Sequence, residues 1–342
     1  MDPVTGTVPA PASAPSLLER LRPRWTMRAV VANLVAQVLI VVTGGAVRLT
    51  GSGLGCSTWP QCEPGQFAPV FHDEMGIHPV IEFGNRTLTG VLVVLAVAVA
   101  LLAGRDRNRT STYRAWAWAP IVGVAIQAVV GGITVLVDLH PAVVGSHFLI
   151  SMVLVAVSAW LLVRTREGDG DATPVVGPRV RALAGLLAGL GVVVLVLGVV
   201  VTGAGPHSGD DEVGYRFAVD PYVMARVHAL SVWAFVGTLG VVIGVLARAR
   251  RAVGPAYERA DGLAQPARGV AGTTGVAPAA VGTDRALRSA LALLGVTLAQ
   301  GLVGYVQLFT GLPIALVNLH MLGAAALTAL LALFLGTLRV RR

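Results

Sequence analysis

The apolar residues of this chain fall in eight blocks of about 20, separated by shorter stretches that carry nearly all of the charge. Coiled into a helix, a block of that length matches the roughly 30 Å hydrocarbon core of a bilayer. A soluble fold would interleave polar residues at helical or strand period, so that each element keeps a wet face. The spans read 29–47, 80–103, 115–137, 143–163, 182–203, 222–247, 287–309 and 314–337. The expected fold class is therefore an all-α polytopic membrane protein with eight transmembrane helices. With only 13% of 342 residues charged, there is too little charge to clothe a soluble domain of this size.

The net charge is +8, and since the chain has no lysine all 26 basic side chains are arginine. They cluster in 105–114 (RDRNRTSTYR), in 164–181, in 248–286 and near both termini. Arginines placed between apolar blocks set membrane orientation rather than bind nucleic acid. These segments and both termini are expected in the cytoplasm, and the acidic or short loops on the other side face outward. Residues 1–28, rich in Pro and Ala and then basic, lack a short apolar core with a cleavage site and read as a cytoplasmic tail. The expected organisation is a first four-helix half over 29–163, a cytoplasmic linker over 164–181, a second half over 182–337 and a basic tail over 338–342. Within the second half, 248–286 is rich in Gly, Ala and Pro and reads as a flexible loop.

The two halves look like copies. QAVVGGITVLVDLHPAVVGSH, from Gln127 to His147, aligns without a gap with QGLVGYVQLFTGLPIALVNLH, from Gln300 to His320. The two agree at seven of 21 positions, among them the leading Gln, a Val-Gly pair and the final His. Spans 1 and 5 share Val-Thr-Gly at 42–44 and 201–203. Duplicating a unit of four helices gives two tandem bundles of the same orientation.

Seven histidines, His72, His78, His140, His147, His207, His228 and His320, all fall in outward loops or the outer halves of spans. His147, His228 and His320 lie one to two turns inside spans 4, 6 and 8. Polar groups at that depth are expensive and face a bundle interior. One such histidine is equally well read as a helix-to-helix hydrogen bond. A pair at matched depth, His228 with His320, reads better as two axial ligands of a haem than as a zinc or copper site, which would call for thiolates or carboxylates at metal spacing.

Two further features lie on the outward side. Cys56 and Cys62, the only cysteines, sit where thiols oxidise, so a disulfide is the natural reading, as a staple or as a redox pair. No CxxCH is present, so haem would be held by ligation and packing. At the mouth of span 2, IEFGNR places Glu82, Asn85 and Arg86 at i, i+3 and i+4 on one helix face. An interfacial Glu82 to Arg86 ion pair is the plain reading, and it leaves Asn85 unexplained.

GGAVRLTGSGLGCSTWPQC, IEFGNR, VGSHFLIS, RVHALSVW and VNLHMLGA together resemble the haem A synthases of the Cox15/CtaA family, over residues 29 to 337. That resemblance implies oxidation of a ring methyl group of haem O to a formyl group, giving haem A for cytochrome oxidase. It implies that His228 and His320 ligate a haem b, and that His147 lies at a haem O site in the first half. Glu82 matches the family's functional glutamate, beside the reacting methyl, and Cys56 with Cys62 its outer cysteine pair. Arg86, Arg48 and Arg226 are candidates for propionate contacts. The family commonly has a histidine where this chain has Asn85, and an amide is a poor ligand for haem iron. His147 is therefore expected to hold the first-half haem alone. Implied partners are haem O and a haem O synthase, an electron donor from outside the chain, the cytochrome oxidase assembly pathway and the plasma-membrane bilayer. The competing readings are a dihaem membrane electron-transfer cytochrome and a duplicated-bundle transporter.

Overall fold

The computed structural model describes residues 17–70, 76–207, 209–210, 212–263 and 276–341. His72, most of the N-terminal tail and the centre of the long loop lie outside the described residues. Eight helices follow in order: α1 (Leu17–Leu49), α2 (His78–Leu102), α3 (Ser111–Leu136), α4 (Pro141–Arg166), α5 (Pro178–Ala204), α6 (Pro221–Leu263), α7 (Val276–Phe309) and α8 (Ile314–Thr337). All eight are long and apolar enough to cross a membrane, and the protein is a multi-pass membrane protein.

The helices overrun the apolar blocks at three ends. α1 begins at 17 rather than 29, and α6 and α7 continue into 248–263 and 276–286, so the stretch expected as a flexible loop is helical at both described ends. Ala and Arg there favour helix on propensity alone, without membrane burial. Proline at the first or second position starts α2, α4 and α5, where its missing N–H removes a donor the helix would leave unpaired.

In the first half α1 packs on α2, α2 on α3, α3 on α4 and α4 back on α1; the second half repeats this with α5 to α8. The halves meet where α8 lies against α1 and α4, and where α4 touches α5. That seam is lined by Ala159, Ala325, Ala329 and Ala332 with Val41, Met152 and Val155, small side chains that let helix backbones approach in a bilayer. At the end away from the cysteine loop, β1 (Thr173–Pro174) pairs antiparallel with β2 (Arg339–Val340). The linker between the halves is thereby tied to the C-terminal tail, and Arg339 lies 3.6 Å from Glu167.

The duplication is written into the backbone. The α3–α4 turn holds Asp138 and Leu139 at φ 49° and 55°, and the α7–α8 turn holds Gly311 and Leu312 at 79° and 59°. The same bond closes both turns, Leu139 N–H donating to the Thr134 carbonyl at 2.9 Å and Leu312 N–H to that of Gln307 at 2.7 Å. This six-to-one closure is the Schellman arrangement. Each turn reverses the chain at one register, so His147 and His320 fall at the same position, the seventh residue of α4 and of α8.

Candidate functional site

The paired histidines meet in the second half. His228 on α6 and His320 on α8 have ring centroids 6.5 Å apart, inclined at 76°. Each ring rests on a glycine of the preceding helix. A Cβ at Gly198 would come within 3.3 Å of His228 Cε1, and one at Gly304 within 3.3 Å of His320 Cε1. Neither Nδ1 has a partner of full hydrogen-bond geometry, although both are buried; the rings face the backbone of Val194 and Gln300, one turn before those glycines. Two metal–imidazole bonds of about 2 Å and two ring radii of about 1.1 Å span roughly 6.2 Å. A ligating histidine also turns its second nitrogen towards a carbonyl. The pair thus fits bis-imidazole ligation of one haem iron. Among the described residues, no three or more His, Cys, Asp or Glu side chains gather into a metal cage.

The first half repeats one side of this mount. His147 rests on Gly131, where a Cβ would lie 3.2 Å from its Cε1, and its Nδ1 is likewise buried and unpartnered. Gln127, one turn before Gly131, donates through Nε2 to the His147 carbonyl at 3.0 Å and to the Ser151 hydroxyl. His228 is the eighth residue of α6, and the eighth residue of α2 is Asn85. Asn85 Oδ1 accepts a 2.7 Å hydrogen bond from the Thr43 hydroxyl on α1. Thr43 belongs to the repeated Val-Thr-Gly, but nothing in the sequence marked it as a partner of Asn85. The three glycines beneath the histidines also went unread, since small residues are frequent in any membrane helix.

Glu82 is buried at 5% exposure beneath the cysteine loop. One carboxylate oxygen accepts from the Cys56 amide at 2.7 Å, and the other is paired with Arg86. Arg86 Nη1 also donates to the carbonyls of Thr58 at 2.9 Å and Gln61 at 3.2 Å. The ion pair of the plain reading is present, and it clamps the loop closed by the Cys56–Cys62 disulfide onto α2. Trp59, inside that loop, covers Gly132, where a Cβ would lie 2.5 Å from its ring. The loop thus bridges the start of α2 and the end of α3, next to Gly131, on which His147 rests.

The three arginines considered for propionates differ in what they already hold. Arg86 is committed to Glu82 and the loop carbonyls. Arg48 donates to the carbonyls of His207 at 3.0 Å and Thr202 at 3.2 Å, joining the end of α1 to the end of α5. Arg226, two residues before His228 on α6, is exposed and has no ion pair among the described residues. His78 is bonded through Nδ1 to the Ser52 hydroxyl at 2.9 Å, and His140 caps α4 by accepting from the Ala142 amide.

The sequence profile of the COX15-CtaA family, described as a cytochrome oxidase assembly protein, matches residues 27–208, more than half of the chain. A protein named Heme A synthase from Bacillus pumilus (strain SAFR-032) is 34% identical over 146 residues, 41% of this chain and 45% of that protein. Another of that name from an Exiguobacterium species (strain ATCC BAA-1283 / AT1b) is 29% identical over 171 residues, 50% of this chain and 54% of its own. A third, from Alkalihalophilus pseudofirmus, is 25% identical over 140 residues, 41% and 46% of the two chains. These matches span about half the length of the curated relatives.

Proposed function

The chain belongs to the COX15-CtaA family of cytochrome oxidase assembly proteins, and from that premise we propose that it is a haem A synthase, an oxidoreductase that converts one ring methyl group of haem O to the formyl group of haem A. The observation that carries the reading is the repeated mount: His147 on Gly131 and His320 on Gly304, with His228 facing the latter at 6.5 Å. A protein that binds haem only once has no use for two such mounts at one depth.

In this reading His228 and His320 hold a resident haem b, which supplies one-electron transfer, while the first half binds haem O as substrate through His147. Glu82 acts near the substrate edge by holding the disulfide loop closed over the pocket mouth and by keeping a carboxylate where a positive charge or a proton must be managed. Trp59 and the loop shield that mouth from water. Arg226, the arginine left unpaired, is the one suited to a haem propionate. The distribution of the arginine-rich segments supports a topology with both termini in the cytoplasm and the haem sites towards the outer face of the plasma membrane. Haem O arrives from a haem O synthase, and electrons pass through a partner outside this chain.

Co-expression with a source of haem O, followed by solvent extraction and chromatography of the bound pigment, tests this directly. Haem A in the extract is the expected result. Two unmodified haems per chain would instead make it a dihaem electron-transfer cytochrome, the reading that the facing histidine pair alone favours. Recovery of a chain without haem would leave the transporter.

A further inference from the structure

The two halves share the histidine of α4 and α8 seated on a glycine of the preceding helix, and they part at the eighth residue of α2 and of α6. In the second half the equivalent place holds His228, and its imidazole faces His320. In the first half it holds Asn85, whose Oδ1 is engaged by the Thr43 hydroxyl at 2.7 Å. With the oxygen held, the amide nitrogen and its two N–H donors are the part of Asn85 left free.

Other donors in or beside the first half are committed elsewhere among the described residues. His78 Nδ1 is bonded to Ser52, and its Cα lies about 10 Å up the helix from Asn85. His140 caps α4. Met152 is buried with its sulfur accepting from the Thr328 hydroxyl at 3.7 Å. Met321 packs its sulfur on Gly45, both cysteines are in the disulfide, and Glu82 is clamped by Cys56 and Arg86.

We propose that the first-half haem is five-coordinate, ligated by His147 alone, and that Thr43 orients Asn85 so that its amide N–H group stands at the vacant axial side as a hydrogen-bond donor for a small exogenous ligand. The protein then carries one closed, low-spin haem and one open, high-spin haem. An open iron with a positioned donor binds small ligands that a bis-imidazole iron excludes. This inference rests on the haem reading above and adds to it a division of labour between the two halves.

The test uses the full chain purified in detergent from cells supplied with haem O. Haem is counted as the pyridine complex, and the spin states are read by electron paramagnetic resonance and resonance Raman. Carbon monoxide binding to the reduced protein is measured in parallel. One high-spin and one low-spin haem are expected, with carbon monoxide bound by the high-spin haem alone. N85H should turn the high-spin haem low-spin and abolish its carbon monoxide binding. H147A should remove the high-spin haem and leave the low-spin one. T43V should keep the haem five-coordinate while shifting the carbon–oxygen stretch of the carbon monoxide adduct. Two low-spin haems in the unaltered protein overturn the proposal while leaving the haem reading intact, as does an N85H protein that keeps both haems and its high-spin signal. A protein with no haem overturns both.

Discussion

Leu139 and Leu312 occupy the same left-handed position in two copies of one turn, yet only Leu139 is buried, at 7% exposure. Its side chain lies against Gly53 of the cysteine loop and Gly209 of the loop after α5, where a Cβ would come within 2.7 Å and 2.9 Å of Leu139 Cδ1. Gly53 N–H also donates to the Gly209 carbonyl at 2.7 Å. The strained leucine is a plug joining loops from both halves.

The two leucines should therefore respond in opposite ways to glycine. Relief of the left-handed backbone is worth about 1 kcal/mol at either site, but burying a leucine side chain is worth about 2 kcal/mol or more. Leu139→Gly should lower the melting temperature of the purified protein, whereas Leu312→Gly should leave it unchanged or raise it. Equal shifts in a thermal scan would show that Leu139 is not a plug.

Glu82 and Arg86 make a second prediction. Removing one partner of a buried pair costs about 3 kcal/mol or more, and here the loss also frees the Cys56 amide and the loop carbonyls. Glu82→Ala should expose the loop around Trp59 to limited proteolysis and abolish haem A formation. Glu82→Gln can still accept from Cys56 but leaves Arg86 without its counter-charge, so the loop should stay protected while conversion falls. Full conversion by Glu82→Gln, measured by pigment extraction, would confine the residue to a structural role.

How far the sequence carries can be judged from these residues. The spans were legible because membrane burial demands an unbroken apolar length. The ends at 17, 263 and 276 were not, because a helix leaving the bilayer continues on helix-forming charged residues that no hydropathy criterion detects. The duplication was legible as a Gln-to-His register, and the backbone repeats it bond for bond. Thr43 with Asn85, Arg48 with His207 and Leu139 with Gly209 were invisible, since each joins helices or halves that sequence spacing does not relate. The Glu82 to Arg86 pair was readable from its i, i+4 spacing, but not its grip on the cysteine loop, which is made across 25 to 28 residues.

The glycine mounts give a third prediction. A methyl group at Gly198 or Gly304 would press on an imidazole at 3.3 Å, and one at Gly131 at 3.2 Å, tighter than an ordinary contact of about 3.5 Å or more. Gly304→Ala and Gly198→Ala should each reduce retention of the second-half haem, and Gly131→Ala that of the first, by roughly 10-fold to 100-fold in affinity, as for other residues that orient a ligand. Gly295→Ala on α7, with open space around it, should retain both haems and be somewhat more stable. Haem content after gel filtration checks all four.

The last prediction lies at the opposite end of the bundle, where Asp169 joins the α3 start to the linker between the halves. Its carboxylate accepts from Arg109 Nε at 2.6 Å and from the Thr110 amide and hydroxyl, both at 3.1 Å. Burial alone would raise this carboxyl, but the Arg109 and Thr110 hydrogen bonds and the Arg109 charge outweigh it and hold the group below the usual carboxylate range. A carboxyl depressed on folding adds stability that is complete above its unfolded value, about 3.9, and is lost as the pH falls through the lower folded value. Asp169→Asn should therefore melt below the unaltered protein at pH 7, and the gap should close as the pH drops below about 4. Arg109 also donates to the carbonyls of Arg164 and Glu167, so Arg109→Ala should lower the melting temperature more than Asp169→Asn does. A gap between Asp169→Asn and the unaltered protein that stays constant from pH 7 down through pH 4 would mean that the charge on Asp169 contributes nothing to holding the linker.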